Sequence, residues 1–268
     1  MKKLLLLFTL TLFLTSCNVT ESIVFDDGQS GQFLVTYQMG DAMKAFTEQM
    51  GGGTANSDEK EKGAVMDTLM VFADIMETYK DSVAALPEDK RLAMEAVKDM
   101  FMTMKMDEDE GVMDIGIGLN FKSLDGLKDI QEKIKKAQSI NGQGDQINAM
   151  KNGSPIGKFM GSDGERVNYL MSDSGFERVT SMEMSAEELQ QSMAELFDDT
   201  DESDKEFMQY FEESYYNVSL TFPKRVKSVS IDGAAISEDG KTVTYKASWI
   251  EYLKNPLMLD VKVDFVDE

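Results

Sequence analysis

Polar and apolar residues alternate with a period of two along several stretches of the chain, the pattern of a β-strand with one buried face. Residues 22–39 predict a β-hairpin that turns at 26–28, because Asp-Asp-Gly separates two such runs. Met100 to Met106 and Met113 to Phe121 alternate again and predict a second hairpin around an acidic turn. Further strand patterns follow: a hairpin over 156–180 that turns at 162–164, and strands over 216–222, 226–231, 242–249 and 257–265.

Elsewhere apolar residues recur at spacings of three and four, the period of an amphipathic helix. Residues 64–84 fit such a helix, and Pro87, at the first helical position and followed by two acidic residues, predicts a second one that runs to about Lys98. We expect this pair to form an antiparallel helical hairpin inserted between strands. Ser185 and Glu188 have the spacing of a capping box, which opens another helix. The remaining predicted helices cover 41–50, 124–137 and 203–214.

These elements predict the α+β class: antiparallel β-hairpins in a sheet, with inserted amphipathic helices. Residues 22–268 are long enough for one large domain with a sizeable core. A Gly-, Gln- and Asn-rich stretch makes a sub-boundary near 140–155 conceivable.

The N-terminus has a pattern of its own. Two lysines precede the apolar stretch from Leu4 to Leu14, which is too short to span a bilayer and suits the hydrophobic region of an export signal. Leu14-Thr15-Ser16-Cys17 resembles the bacterial lipobox. That resemblance implies removal of residues 1–16 as a signal peptide, attachment of lipid to the Cys17 sulfur, acylation of the new amine by a chain such as palmitate, and a lipidated tether over 17–21. The alternative is a plain secretory signal with a chance cysteine.

The residue after the cysteine bears on location. Asp at this position favours inner-membrane retention in enterobacterial lipoproteins, and this chain has Asn18 instead. We therefore expect lipid anchoring in the outer membrane. Glu21 is the only acidic residue between Cys17 and Ile23, whereas some surface-exposed lipoproteins carry an acidic run there. This favours the periplasmic face.

The amino-acid composition excludes several partners and several kinds of catalytic and metal site. The chain carries a net charge of −22, and loss of Lys2 and Lys3 would leave 25 basic against 49 acidic residues, a mature charge of −24. Such an excess repels phosphate backbones and anionic headgroups, so we expect no nucleic-acid partner. The chain has no histidine, and Cys17 is its only cysteine. Ser-His-Asp and Cys-His catalysis, zinc sites built on these residues and internal disulfides are therefore excluded.

Two C-terminal segments carry a second resemblance. Leu220-Thr221-Phe222-Pro223 and Gly240-Lys241-Thr242-Val243-Thr244-Tyr245 resemble the LppM-like lipoprotein domain, in which a strand ends in a hydrophobic residue and Pro. The opening Ser22 to Gly28 also looks like the start of many uncharacterised Gram-negative lipoproteins. The resemblance implies an α+β domain on a lipid anchor at the envelope and carries over no catalytic residues.

Methionine is the unusual residue, with 21 copies. Met100, Met102, Met104 and Met106 resemble the Met-x-Met arrangements of periplasmic copper proteins, and strand alternation would place four soft sulfurs on one face, which suits Cu(I). The alternative is that this face packs as core, since methionine fills irregular gaps well. The core interpretation is favoured because methionine is abundant throughout the chain.

Other patterns have a plain alternative. The acidic clusters at 107–110 and 198–204 could bind calcium, but the second lacks the glycine and terminal glutamate of an EF-hand, and solvated loops explain both. Thr68 and Ser82 lie in Asp-Ser/Thr-aliphatic triplets used for O-glycosylation in some envelope proteins. Aromatic residues cluster near the start of the last sheet and predict core rather than a ligand platform: Phe207, Tyr210, Phe211, Tyr215 and Tyr216.

Taken together, these patterns predict a lipid-anchored envelope protein that is not an enzyme, needs no cofactor, and has a binding or structural role toward another protein or a lipid. Cu(I) handling by the strand from Met100 to Met106 is the alternative function. A hydrolase that uses carboxylates, or Ser with Lys, has no motif in its favour.

Overall fold

The computed structural model describes residues 18–27, 29–38, 40, 65–107, 110–140, 165–196 and 212–267. Within these ranges the chain forms twelve β-strands and six α-helices. The strands are β1 (Asn18–Phe25), β2 (Gly31–Gln38), β3 (Val65–Val71), β4 (Met100–Asp107), β5 (Val112–Phe121), β6 (Glu165–Ser172), β7 (Gly175–Met182), β8 (Tyr215–Thr221), β9 (Val226–Val229), β10 (Ala235–Ile236), β11 (Thr242–Ser248) and β12 (Val261–Phe265). The helices are α1 (Phe72–Thr78), α2 (Lys80–Ala84), α3 (Glu88–Ala96), α4 (Ile130–Ile140), α5 (Ala186–Leu196) and α6 (Trp249–Lys254).

The strands form two sheets. The larger has eight strands in the order β10-β11-β8-β1-β2-β5-β4-β3, and the smaller has four in the order β6-β7-β12-β9. Neighbouring strands are antiparallel except β1 and β8, which run parallel with Ile23 opposite Leu220. Strand β1 therefore lies in the middle of the larger sheet, between its hairpin partner β2 and the C-terminal strand β8. The protein belongs to the α+β class, which confirms the prediction.

The core lies between one face of each sheet. On β1 the alternate residues Val19, Ile23 and Phe25 are buried, as the period-two pattern requires. The ring of Phe25 lies 5.4 Å from that of Phe176 on the smaller sheet and stacks on Phe222 at 5.6 Å, so aromatic contacts join the two sheets. Helices add to the same core through buried apolar residues: Phe72, Val97, Ile130, Ile134, Trp249, Tyr252 and Leu253.

Several predicted elements are confirmed. The N-terminal hairpin is β1 and β2, and the methionine-rich hairpin is β4 and β5. The second predicted helix is α3, which starts directly after Pro87. The Ser185 hydroxyl accepts a hydrogen bond from the Glu188 amide, and the Glu188 carboxylate accepts one from the Ser185 amide, so the capping box opens α5 as expected.

The helix predicted over 64–84 is wrong in its first third. Residues 65–71 form β3, which pairs with β4, and helical structure begins only at Phe72. The apolar residues Met66, Leu69 and Met70 fit a helical period, yet Met66, Thr68 and Met70 also fit a strand, and pairing with β4 decides between the two. The expected hairpin of two helices is also absent from the described residues, since α3 packs against α4 instead.

Further corrections concern ends of elements. The third hairpin turns at Asp173-Ser174, between β6 and β7, rather than at 162–164, because the polar run from Ser172 to Gly175 is the one that separates the paired strands. The strand predicted to Trp249 ends at Ser248, where α6 begins. The last predicted strand is a 3₁₀ turn over Pro256–Leu259 and then β12. The helix predicted over 124–137 is a 3₁₀ turn over Leu124–Leu127 followed by α4.

Several predictions lie outside the described residues: the signal peptide, the helix over 41–50, the sub-boundary near 140–155, the acidic loop over 198–204 and most of the helix over 203–214. Across the described ranges, no helix combines the length and the apolar character that crossing a bilayer requires.

Candidate functional site

The predicted lipidation residue, Cys17, lies outside the described residues, and its neighbour Asn18 is the first residue that the structure describes. Asn18 is the first residue of β1, and its side-chain oxygen accepts a hydrogen bond from the Tyr215 amide at 3.1 Å. Residues 18–21, which the sequence assigned to a tether, are therefore part of a central strand. The reason is that Val19 and Glu21 occupy buried positions of that strand.

The four methionines of β4 share one face of the larger sheet but not one environment. Met100 and Met102 are buried in the core, at 0% and 6% exposure, whereas Met104 and Met106 are half-buried. The expected packing role therefore applies to the first two. The other two continue the same face toward the turn between β4 and β5.

Strand pairing brings two further methionines to this face. Met106 lies directly opposite Met66 on β3 and directly opposite Met113 on β5. The proximity of these three residues was not predictable from the sequence, because it depends on β3 being a strand. We call Met66, Met106 and Met113 the methionine row.

The most polar buried cluster joins the two sheets. Glu21 on β1 is 2% exposed and Arg178 on β7 is 1% exposed. The Arg178 Nε donates to Glu21 Oε1 and its Nη2 donates to Glu21 Oε2, both at 3.1 Å, so the pair is bidentate. Tyr169 donates its hydroxyl to Oε1 at 3.0 Å and Tyr216 donates to Oε2 at 2.9 Å.

A second layer of contacts orients the guanidinium. Arg178 Nη1 donates to the Thr180 hydroxyl at 3.3 Å and lies 3.7 Å from the Asp260 carboxylate. Asp260 in turn accepts a hydrogen bond from the Thr180 amide at 2.8 Å. The charge of Arg178 is therefore balanced by Glu21 from the larger sheet and by Asp260 from the segment before β12.

The proton affinities of this cluster follow from burial and charge. Burial alone would raise the pKa of Glu21, but the Arg178 charge and the hydrogen bonds from Arg178, Tyr216 and Tyr169 outweigh it and hold the pKa below its ordinary value. Burial and the nearby Glu21 charge raise the pKa of Tyr169 and of Tyr216 well above the usual range. Glu21 and Arg178 are thus a charged pair, and both tyrosines stay protonated.

This geometry suits structural stabilisation better than proton transfer. The Glu21 carboxylate accepts four hydrogen bonds from within the protein, two at each oxygen, which fills its acceptor sites. A general acid or base needs an accessible proton and a pKa near the working pH, and this carboxylate has neither. The pair was not predicted from the sequence. Alternation nevertheless places Glu21 on the buried face of β1 and Arg178 between the buried residues Phe176 and Thr180.

The other predicted features lie in different environments. In the acidic turn, the Glu110 amide donates to the Asp107 carboxylate at 3.0 Å, an ordinary turn contact. No group of three or more acidic, His or Cys residues within the described ranges is arranged to hold a metal ion. Thr68 is half-buried on β3, which removes it from the helix in which it was predicted, and Ser82 is exposed on α2. Of the aromatic cluster, Tyr216 is core and stacks on Trp249 at 5.5 Å, as expected. Tyr215 is not core: it is 37% exposed, with Lys246 Nζ 3.7 Å from its ring centroid. The other three residues of the cluster lie outside the described residues.

Comparison with known proteins gives one weak similarity. No family model matches the chain, and no curated protein matches it. Among solved structures, the NMR structure of the folded domain of LppM from Mycobacterium tuberculosis is similar with a TM-score of 0.36 at 7% sequence identity, over 94% of this chain and 91% of that chain. The similarity is a weak resemblance of fold.

Proposed function

We propose that this protein is a lipid-anchored component of the bacterial cell envelope, attached through Cys17, with a binding or structural role rather than an enzymatic one. The observation that carries the proposal is that β1 begins at Asn18, directly after the lipobox cysteine. A lipidated Cys17 would join the acyl chains to a central strand with no flexible linker. Several acyl chains, at about 0.8 kcal/mol for each buried CH₂ group, anchor a protein stably.

This attachment would orient the molecule on the membrane. The end of the larger sheet where β1 begins also carries Gln38, which pairs with Asn18, and Asp114, which pairs with Gln38. At about 3.3 Å per residue, the far end of the eight-residue strand would lie about 25 Å from the membrane surface. That far end, around Phe25 and Gly31, is the part best placed to reach a partner in the aqueous compartment.

The proposed location is the periplasmic face of the outer membrane, supported by Asn18 in the sorting position. Membership of the LppM-like group is also proposed, on the two C-terminal segments. These segments are neighbours in the fold, because Leu220 on β8 lies opposite Val243 on β11. The two segments that carry the resemblance are therefore adjacent in one sheet rather than separate in the fold.

The non-enzymatic role is supported by the state of the buried cluster, in which Glu21 is saturated by hydrogen bonds and Arg178 is held by three partners. We propose a protein or lipid partner, for which the lipid anchor supplies the location. Activity profiling of the purified protein against hydrolase and transferase substrates would contradict this part if turnover were found and were lost on substitution of a single residue.

Mass spectrometry of the intact protein from membranes tests the anchor. The expected N-terminal residue is Cys17 with a blocked amine, and the mass should exceed that of residues 17–268 by a diacylglyceryl group and one acyl chain. The matched variant Cys17→Ser should remain unprocessed and lack the lipid. A free Cys17 thiol on a secreted, water-soluble chain would overturn the proposal.

Asn18→Asp tests the location separately. Aspartate keeps the oxygen that accepts the Tyr215 amide, so the fold should be retained. In an enterobacterial host we expect the variant to shift from the outer-membrane to the inner-membrane fraction. Unchanged fractionation would contradict the sorting argument and leave the lipid anchor standing.

A further inference from the structure

The methionine row has the chemistry and placement of a soft-metal site. Met66 and Met113 lie opposite Met106 from either side, in the registers of β3 with β4 and of β4 with β5. Directly opposed residues of an antiparallel pair point to the same face, with Cβ atoms about 5 Å apart. Three thioether side chains therefore stand side by side across three strands.

The row is accessible, unlike the part of this face that belongs to the core. Met66 is 40% exposed, and Met106 and Met113 are half-buried. The next position along β4 is Met104, also half-buried, whereas Met102 beyond it is core. Burial thus divides β4 into a packed half and an open half, and the open half is the one that gains methionines from both neighbouring strands.

From this arrangement we propose that the methionine row, with Met104 as a further ligand, binds Cu(I). Thioether sulfur is a soft donor that selects Cu(I) over the hard cations. The unbranched methionine side chain has three rotatable bonds, so three sulfurs rooted on adjacent strands can turn toward one ion. The site differs from a linear Met-x-Met motif because two of its ligands come from β3 and β5.

The surroundings favour a cation. The adjoining turn between β4 and β5 carries Asp107 and Glu110, and the chain as a whole has a net charge of −22. Negative potential near a site raises the local concentration of cations and their rate of association. The only cysteine in the chain is Cys17, so thioethers are the soft ligands that remain when that thiol carries lipid. The proposal itself does not depend on the anchor.

Anaerobic titration of the purified protein in non-ionic detergent tests the site, with Cu(I) partitioned against a chromophoric Cu(I) chelator. The variant Met66→Leu/Met106→Leu/Met113→Leu should bind Cu(I) at least tenfold more weakly than the wild type. Methionine-to-leucine changes nearly conserve volume, so the fold should survive, which far-UV circular dichroism checks.

Two matched variants separate this site from other thioethers. Met171→Leu/Met193→Leu/Met258→Leu removes the same number of sulfurs from half-buried positions on β6, α5 and the C-terminal 3₁₀ turn, and should bind within twofold of the wild type. Met100→Leu/Met102→Leu removes the packed half of β4 and should also leave affinity unchanged.

Ag(I) added to protein labelled with ¹³C at the methionine methyl groups gives an independent measurement. The methyl resonances of the methionine row and of Met104 should shift, and those of Met100 and Met102 should not. Equal affinity in the wild type and the row variant, or the largest loss in either matched variant, would overturn the proposal.

Discussion

At the scale of single residues, the Glu21–Arg178 pair is the costliest group in the core to bury. Each ion loses its hydration, and the loss is offset only because every acceptor site of Glu21 is filled and Arg178 meets Thr180 and Asp260 as well. Such a pair contributes little net stability compared with apolar residues, yet it links β1 of one sheet to β7 of the other in one geometry. Replacing only one member of the pair should therefore destabilise the protein much more than replacing both members together.

Breaking the pair from one side should destabilise the protein strongly. Glu21→Gln places an amide NH₂ donor against a guanidinium donor, so one hydrogen bond is lost and Arg178 keeps a charge without its partner. Arg178→Met leaves the buried carboxylate of Glu21 without its counter-charge. Each single change should lower the free energy of unfolding by about 3–5 kcal/mol. In the double variant, the Gln oxygen accepts from one tyrosine hydroxyl, and its NH₂ group can donate to the hydroxyl oxygen of the other. The double variant should therefore lose much less than the sum, as measured by urea unfolding.

A surface ion pair supplies the control for that cycle. Arg166 lies 3.0 Å from Glu183, with side chains 49% and 59% exposed. Because solvent screens exposed charges, Glu183→Gln and Arg166→Met should show a coupling below about 1 kcal/mol. A coupling at Glu21–Arg178 no larger than at this surface pair would contradict the structural role.

Acid should weaken the protein partly through Glu21. The pKa of Glu21 is lowered in the folded state, so the unfolded chain takes up a proton first as pH falls below about 4.5. The stabilisation that its ionisation provides is complete above that pH and is lost toward the lower folded pKa. The difference in unfolding free energy between the wild type and Glu21→Gln should therefore shrink from pH 6 to pH 3. A difference independent of pH would show that folding does not change the pKa of Glu21, and a difference that grew toward low pH would show that the buried carboxyl is protonated.

At the scale of elements, β5 depends on two glycines that admit side chains from its neighbours. A Cβ on Gly116 would lie 2.2 Å from the Thr103 hydroxyl, and one on Gly118 would lie 2.5 Å from the Phe33 carbonyl oxygen and 2.6 Å from the Phe101 ring. Phe101 is only 8% exposed although it points away from the core, since its ring covers Gly118. The close approaches hold β2, β4 and β5 together on the outer face.

These contacts predict that a second substitution can restore stability at one of the two glycines but not at the other. Gly116→Ala and Gly118→Ala should each destabilise by about 1–3 kcal/mol, the usual range for overpacking. Thr103→Ala should relieve Gly116→Ala, because the clash there is with a side-chain oxygen. Phe101→Ala should not relieve Gly118→Ala, because the backbone carbonyl of Phe33 stays in place. Thermal or urea unfolding of the four single variants and the two double variants measures this, and equal rescue at both sites would contradict the geometry.

Elements with unambiguous periodicity were predictable, and those with two compatible periods were not. The hairpins β1–β2 and β4–β5 alternate over many residues, which a helix cannot satisfy. Residues 65–71 satisfy both periods, and only β4, about 35 residues away, selects the strand. The third hairpin was placed at the wrong turn because Ser-Asp-Gly at 162–164 and Asp-Ser-Gly at 173–175 are equally good turn sequences.

At the scale of the whole molecule, candidate functional residues were predictable only where the residues of a site are neighbours in the sequence. Cys17 stands within a contiguous motif. The ion pair joins residues 157 positions apart, and the methionine row requires the strand order β3-β4-β5. Strand order is decided by packing between distant segments, such as the parallel pairing of β1 with β8, and no local pattern encodes it.

Net charge is the remaining property of the whole chain with a measurable consequence. The mature chain would carry 49 acidic against 25 basic residues, so its surface carboxylates repel one another more closely in the folded state than in the unfolded chain. Salt screens this repulsion, with a Debye length that falls from about 30 Å at 0.01 M to about 8 Å at 0.15 M. We therefore expect the urea midpoint of the protein, held in a non-ionic detergent, to rise between these two concentrations of NaCl.

The choice of salt separates screening from cation binding. If screening is the cause, tetramethylammonium chloride should raise the midpoint as much as NaCl at equal ionic strength, because a bulky organic cation screens without coordinating oxygen. A rise confined to Na⁺ would instead indicate specific carboxylate sites. A midpoint that fell with both salts would mean that attractive surface pairs, such as Arg166 with Asp129 at 3.2 Å, outweigh the repulsion despite the excess of acid.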